Sequence, residues 1–80
     1  MDPARRVTLA NEFSAETLRL VEETLRGAGE DLSAVEMAAR LGASRVSARR
    51  YLEHLVAANQ AQVSLRYGEV GRPERRYRWR

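Results

Sequence analysis

Eighty residues with no cysteine make one small domain without a disulfide or thiolate–metal framework, and a chain this short buries only about 60% of its unfolded surface, leaving no cleft between domains for catalysis. No apolar run approaches the roughly 20 residues that span a bilayer, and the opening MDPARRVTLANEF lacks a signal-peptide core, so a soluble cytoplasmic protein is expected. The formal charge of +3 is polarised: residues 1–42 carry 8 acids and 5 arginines, residues 43–80 carry 3 acids and 9 arginines, and a basic half suits an anionic partner.

Residues 1–13 show no sustained period and include Pro3 and Asn11, so they are expected to form a linker or N-terminal arm, with a short extended piece at Val7 to Leu9. The domain proper is expected over 14–80. Ser14 can cap a first helix over about 14–27, with Phe13 and Leu18 as a hydrophobic staple and Leu18, Val21 and Leu25 on its apolar face. Ser33 and Glu36 form an S-x-x-E capping box for a second helix over about 33–41, with Leu32 and Met37 as its staple and Val35, Ala38 and Leu41 as its apolar face. Only Gly42 and Ala43 separate it from Ser44, the expected cap of a third helix over about 44–57, so these two helices must turn sharply, as in a helix-turn-helix.

On the third helix, Ala48, Tyr51, Leu52, Leu55 and Val56 gather on one side, and Val46, Arg49, Arg50 and Glu53 on the other. Asn59 can take a left-handed conformation, after which the period changes from 3.6 to 2. Val63, Leu65 and Tyr67 alternate with polar residues, and after the turn segment GEVGRPER so do Tyr77 and Trp79. Three helices followed by a two-stranded hairpin over about 62–80 is the order of a winged helix-turn-helix, a mainly α fold with a small β wing.

The third helix breaks a rule of helix construction. Its electropositive start carries Arg45 and then Arg49 and Arg50, with no carboxylate before Glu53. The other helices place the acid first, as in Glu22 with Arg26 and Glu36 with Arg40, the favoured order. A merely solvated face, with Arg49 paired to Glu53, is the plain alternative, but it leaves Arg45 and Arg49 repelling each other at i, i+4. A phosphodiester would resolve that conflict, so duplex DNA is the expected partner. Arg49 and then Arg45 are the candidates for bidentate contact to guanine, and Val46 for a thymine methyl. Ser44, Ser47, Arg50 and, more weakly, Ser33 are candidates for phosphate. At the hairpin tip, Pro73 leaves Arg72 extended, which suits a narrow minor groove, with Arg75 beside it as a phosphate contact.

Catalytic chemistry has no constellation. His54 is the lone histidine and reads as a packing or rim residue, the aspartates Asp2 and Asp31 fall in loops, and no phosphate-cradling glycine motif occurs, so no metal, cofactor or enzymatic activity is expected. A winged helix that binds protein instead of DNA is the alternative reading. Recognition of RNA is disfavoured because the A-form major groove is too deep and narrow for a helix.

The stretches LSAVEMAARLGASRVSARRYLEHLV and VSLRYGEVGRPERRYRW resemble the C-terminal DNA-binding domain of response regulators from citrate and C4-dicarboxylate (malate, fumarate) two-component systems, over about residues 14–80. The resemblance implies a winged helix on promoter DNA, controlled by phosphorylation of an aspartate in an N-terminal receiver domain. It also carries DNA contacts onto Ser44, Arg45, Ser47, Arg49 and Arg50. Ser47 stands where the family pattern has threonine, a change that keeps the hydroxyl. No receiver-like repeat precedes residue 14, so an effector domain apart from its receiver is expected, in preference to a short regulator without phosphorelay control. Pairing on adjacent half-sites and contact with RNA polymerase follow as expectations.

Overall fold

The computed structural model describes residues 13–68 and 71–80, so most of the expected N-terminal arm, including Val7 to Leu9, lies outside the described residues. Three helices, α1 (Ala15–Ala28), α2 (Ala34–Leu41) and α3 (Arg45–Ala57), precede two antiparallel strands, β1 (Ala61–Tyr67) and β2 (Pro73–Trp79). This is the expected winged-helix arrangement.

Each helix begins on a serine. The Ser14, Ser33 and Ser44 side chains accept from the backbone N–H groups of Thr17, Glu36 and Ser47, satisfying donors that the first turn leaves unpaired. Helix α1 runs one residue past the expected Gly27 because the left-handed cap is Gly29. Gly42 closes α2 with φ 67° and donates to the Ala38 carbonyl, as does Ala43 at 3.0 Å, so two residues suffice to reach the Ser44 cap. Asn59 follows α3 with φ 63°, as its sequence position predicted.

The core is one cluster. Val21 and Leu25 from α1, Met37 and Ala38 from α2, and Ala48, Tyr51, Leu52 and Leu55 from α3 are buried with Leu32, Ala61 and Tyr77. One expectation is corrected. Val35, assigned to the apolar face of α2, is 57% exposed, and Met37 takes its place, since the Leu32–Met37 staple turns the helix that way. Phe13 is drawn to α3, where its ring lies 4.3 Å from that of Tyr51 and 4.7 Å from that of His54, while Tyr51 Oη accepts from the Ser14 N–H at 2.8 Å.

Register in the hairpin pairs Ala61 with Trp79, Val63 with Tyr77, Leu65 with Arg75 and Tyr67 with Pro73, so these eight residues share one face. Near the helices that face is covered; toward the tip it opens, leaving Leu65 and Tyr67 exposed. The turn is shorter than the expected GEVGRPER, because Pro73 already starts β2, a place where its missing N–H breaks no ladder bond. Strand β2 is also paired on its other side. Leu32 and Tyr77 exchange both backbone hydrogen bonds at 2.8 Å, which ties the wing to the segment just ahead of α2.

Arg76 reinforces that tie. Its side chain, 7% exposed, meets Asp31 Oδ1 at 3.0 Å, Glu36 Oε1 at 2.9 Å and Glu74 Oε1 at 2.7 Å, and donates to the Asp31 carbonyl. Burial works against its charge, but the hydrogen bonds to Glu74, Asp31 and Glu36 outweigh it and hold the proton more tightly than in a free arginine. Glu36 thus closes the capping box and the ion cluster at once. The Ser33 backbone N–H, and after it Arg76, hold its carboxyl below the usual value.

Candidate nucleic-acid interface

Helix α3 presents its basic face outward because its apolar positions, Ala48, Tyr51, Leu52 and Leu55, are consumed by the core. Arg45, Val46, Arg49 and Arg50 are exposed, Val46 at 67%. The first turn holds no acid, as read from the sequence. Ser44 is exposed and Ser47 half-buried; the Ser44 hydroxyl already accepts the Ser47 N–H at 3.1 Å, which leaves its own proton for a further acceptor.

Two concavities flank this face, and both are lined by Arg45 and Arg49. One, of about 550 Å³, is completed by Phe13, Val46, Arg50, Glu53 and His54. The other, of about 400 Å³, runs between the start of α2 and the tip half of β2, where Val35, Arg72 and Arg75 join its walls. The structure therefore brings the wing arginine Arg72 onto the same groove as Arg45 and Arg49. Gly71 adopts φ 84° and its N–H meets the Gly68 carbonyl at 3.2 Å, turning the chain just ahead of Arg72.

Not every candidate is available in the expected way. Ser33 is buried at the wall of the second concavity, and its hydroxyl accepts the Glu36 N–H as that of Ser44 accepts the Ser47 N–H. Arg75 is tied back to α3: its Nη2 lies 2.9 Å from Glu53 Oε2, and its Nε donates to the same oxygen at 3.0 Å and to Tyr77 Oη at 3.2 Å. The hydrogen bond with Tyr77, followed by the charge of Glu53, raises the Arg75 pKa, which suits a structural cation better than a phosphate contact awaiting its partner. Glu53 in turn reaches across to the wing and not along its own helix to Arg49. Sequence spacing had no means of showing this, since the partners lie 22 and 24 residues away.

The chain is similar in sequence to known bacterial regulators. The chain is 51% identical over 61 residues to the transcriptional regulatory protein CitT of Bacillus subtilis, a match covering 76% of this chain and 27% of CitT. It is 44% identical over 69 residues to the probable C4-dicarboxylate response regulator DctR of Priestia megaterium, covering 86% of this chain and 30% of that protein. CitB of Klebsiella pneumoniae, another transcriptional regulatory protein, is 47% identical over 45 residues, covering 56% of this chain and 19% of CitB. The chain is a homologue of these response regulators. It spans less than a third of the length of CitT and DctR, in accord with an effector-domain match. No protein-family model matches, and no solved structure gives a significant match. The relatives of the CitT, DctR and CitB type are regulators by name, and no group of His, Cys, Asp or Glu able to hold a metal occurs among the described residues. No described helix is long and apolar enough to cross a membrane.

Proposed function

We propose that this chain is the DNA-binding effector module of a bacterial transcription regulator of the response-regulator type. In this reading α3 enters the major groove. Arg49 and Arg45 make bidentate contacts to guanine, Val46 meets a thymine methyl, and Ser44, Ser47 and Arg50 hold phosphates. Arg72 extends from the wing toward the adjacent minor groove or backbone. The observation that carries the reading is the convergence of Arg45, Arg49 and Arg72 on one open groove, from two elements, with no acid in the first turn of α3. An anion is the natural complement of these arginines, since Glu74, the one acid among the described residues lining the groove, is already paired with Arg76.

A response-regulator assignment adds partners outside this chain: a receiver domain whose phosphorylation controls the module, a second copy on an adjacent half-site, and RNA polymerase. A single module is expected to bind modestly, and pairing on half-sites about one helical turn apart supplies the rest.

Selection of bound duplexes from a randomised DNA pool, run for the wild type and for Arg49→Ala at one salt concentration, tests the reading. Enrichment of one half-site by the wild type, relaxed at a single base pair in the variant at a cost of about 1–3 kcal/mol, identifies α3 as the reader. Equal enrichment by both proteins removes Arg49 from that role. Flat enrichment by both shifts the function to a protein partner, and competition by duplex RNA as strong as by DNA rejects the helix-in-groove geometry.

A further inference from the structure

Glu53 lies in the wall of the concavity that Arg45, Arg49 and Arg50 line, where an uncompensated carboxylate would repel an incoming phosphate. Its compensation comes from the wing. Oε2 accepts the Tyr77 hydroxyl and the Arg75 Nε, and Arg75 Nη2 completes the ion pair at 2.9 Å. The Arg75 guanidinium also lies 5.9 Å from the Tyr77 ring centroid. Tyr77 is 1% exposed and locked by backbone bonds to Leu32, so its hydroxyl is a fixed point on β2. One oxygen of the recognition helix is therefore held by two residues of the wing.

We propose that Glu53, Tyr77 and Arg75 form a brace that sets the position of the wing against α3, and with it the separation between Arg49 and Arg72 on the DNA. This inference rests on the DNA-binding reading above. Glu53 and Tyr77 act through the arginines they position and touch no nucleotide. Leverage explains why a brace matters. Arg72 lies five residues beyond Tyr77, about 17 Å along an extended strand, so a tilt of about 10° at the base would carry it about 3 Å. Directional contacts need placement to about 0.5 Å. The Leu32–Tyr77 pairing holds the base of β2, whereas Glu53 with Arg75 holds it nearer the tip.

Two measurements on the same proteins test the brace. The chain has no cysteine, so Ala39→Cys on α2 and Arg66→Cys on β1, both at exposed positions, accept spin labels selectively. A narrow distance distribution is expected for the otherwise unaltered protein, and a broader one with Glu53→Ala or with Tyr77→Phe, which keeps the packed ring. In duplex binding, Arg72→Ala is expected to cost about tenfold in the otherwise wild-type protein but less than about twofold when combined with Glu53→Ala, because an unbraced Arg72 has already lost its register. Unchanged distance distributions overturn the brace. Broadened distributions with an undiminished penalty for Arg72→Ala overturn its role in DNA reading. Should the wild type bind no duplex selectively, the proposed function falls together with that role, while the distances still decide whether the brace holds the wing.

Discussion

Ser33 and Ser44 have the same local chemistry and different prospects. Both cap a helix, but Ser33 is buried while Ser44 is exposed beside Arg45. Ser33→Ala is therefore expected to cost about 1 kcal/mol of stability in urea unfolding, with no change in the salt dependence of DNA binding. Sequence spacing gives both serines the cap and cannot separate them, because the residues flanking Ser33 on its N-terminal side, Asp31 and Leu32, are tied to a strand more than forty residues away. The same blindness explains Glu53 and Arg76. Glu53 has Arg49 within reach at i−4, in the less favoured order, and turns to β2 instead, and Arg76 belongs by alternation to the solvent face of the hairpin yet is buried and paired with three carboxylates. Positions whose neighbours are sequence-local, such as Arg45, Val46 and Arg49 on the outward side of α3, were legible with no structure at all.

At the scale of elements, serine caps, glycine stops and the change of period from 3.6 to 2 are strong local signals, and they place all three helices and both strands to within a few residues. Helix α2 is the exception in its facing. Eight residues give too few turns for periodicity to choose between Val35 and Met37, and the staple decides for Met37. This short helix also carries an acid sensitivity. Glu36 has its pKa lowered in the folded protein, chiefly by the Ser33 N–H, so its contribution to stability is present above its ordinary value of about 4.5 and is lost as pH falls through the lowered folded value. Urea midpoints measured against pH are expected to fall on the acid side, and Glu36→Gln, which keeps a cap acceptor but has no proton to take up, is expected to be less stable near neutrality and flatter in acid. An acid limb as steep as that of the wild type would remove Glu36 from this role.

For the whole molecule, the exposed arginines of α3 and the wing set the response to salt. Binding through arginines releases counterions, so log affinity should fall linearly with log salt at a slope of about −0.9 per phosphate neutralised. Arg50→Ala is expected to flatten that slope by about one while leaving the preferred sequence unchanged; a changed sequence with an unchanged slope would make Arg50 a base reader. Fold and family were legible because the helix-turn-helix and the hairpin occur in order within one short chain. The union of the wing with the segment before α2 was not, since neither Leu32 nor Tyr77 signals a pairing with the other. That union limits how far the molecule can be divided. A peptide ending after β1 would leave both backbone groups of Leu32 unpaired, open the core where Tyr77 sits, and strand the carboxylates of Asp31 and Glu36 without Arg76. The recognition helix is consequently not a transplantable cassette: a graft onto another scaffold must bring the wing with it, or the reader has no floor to stand on.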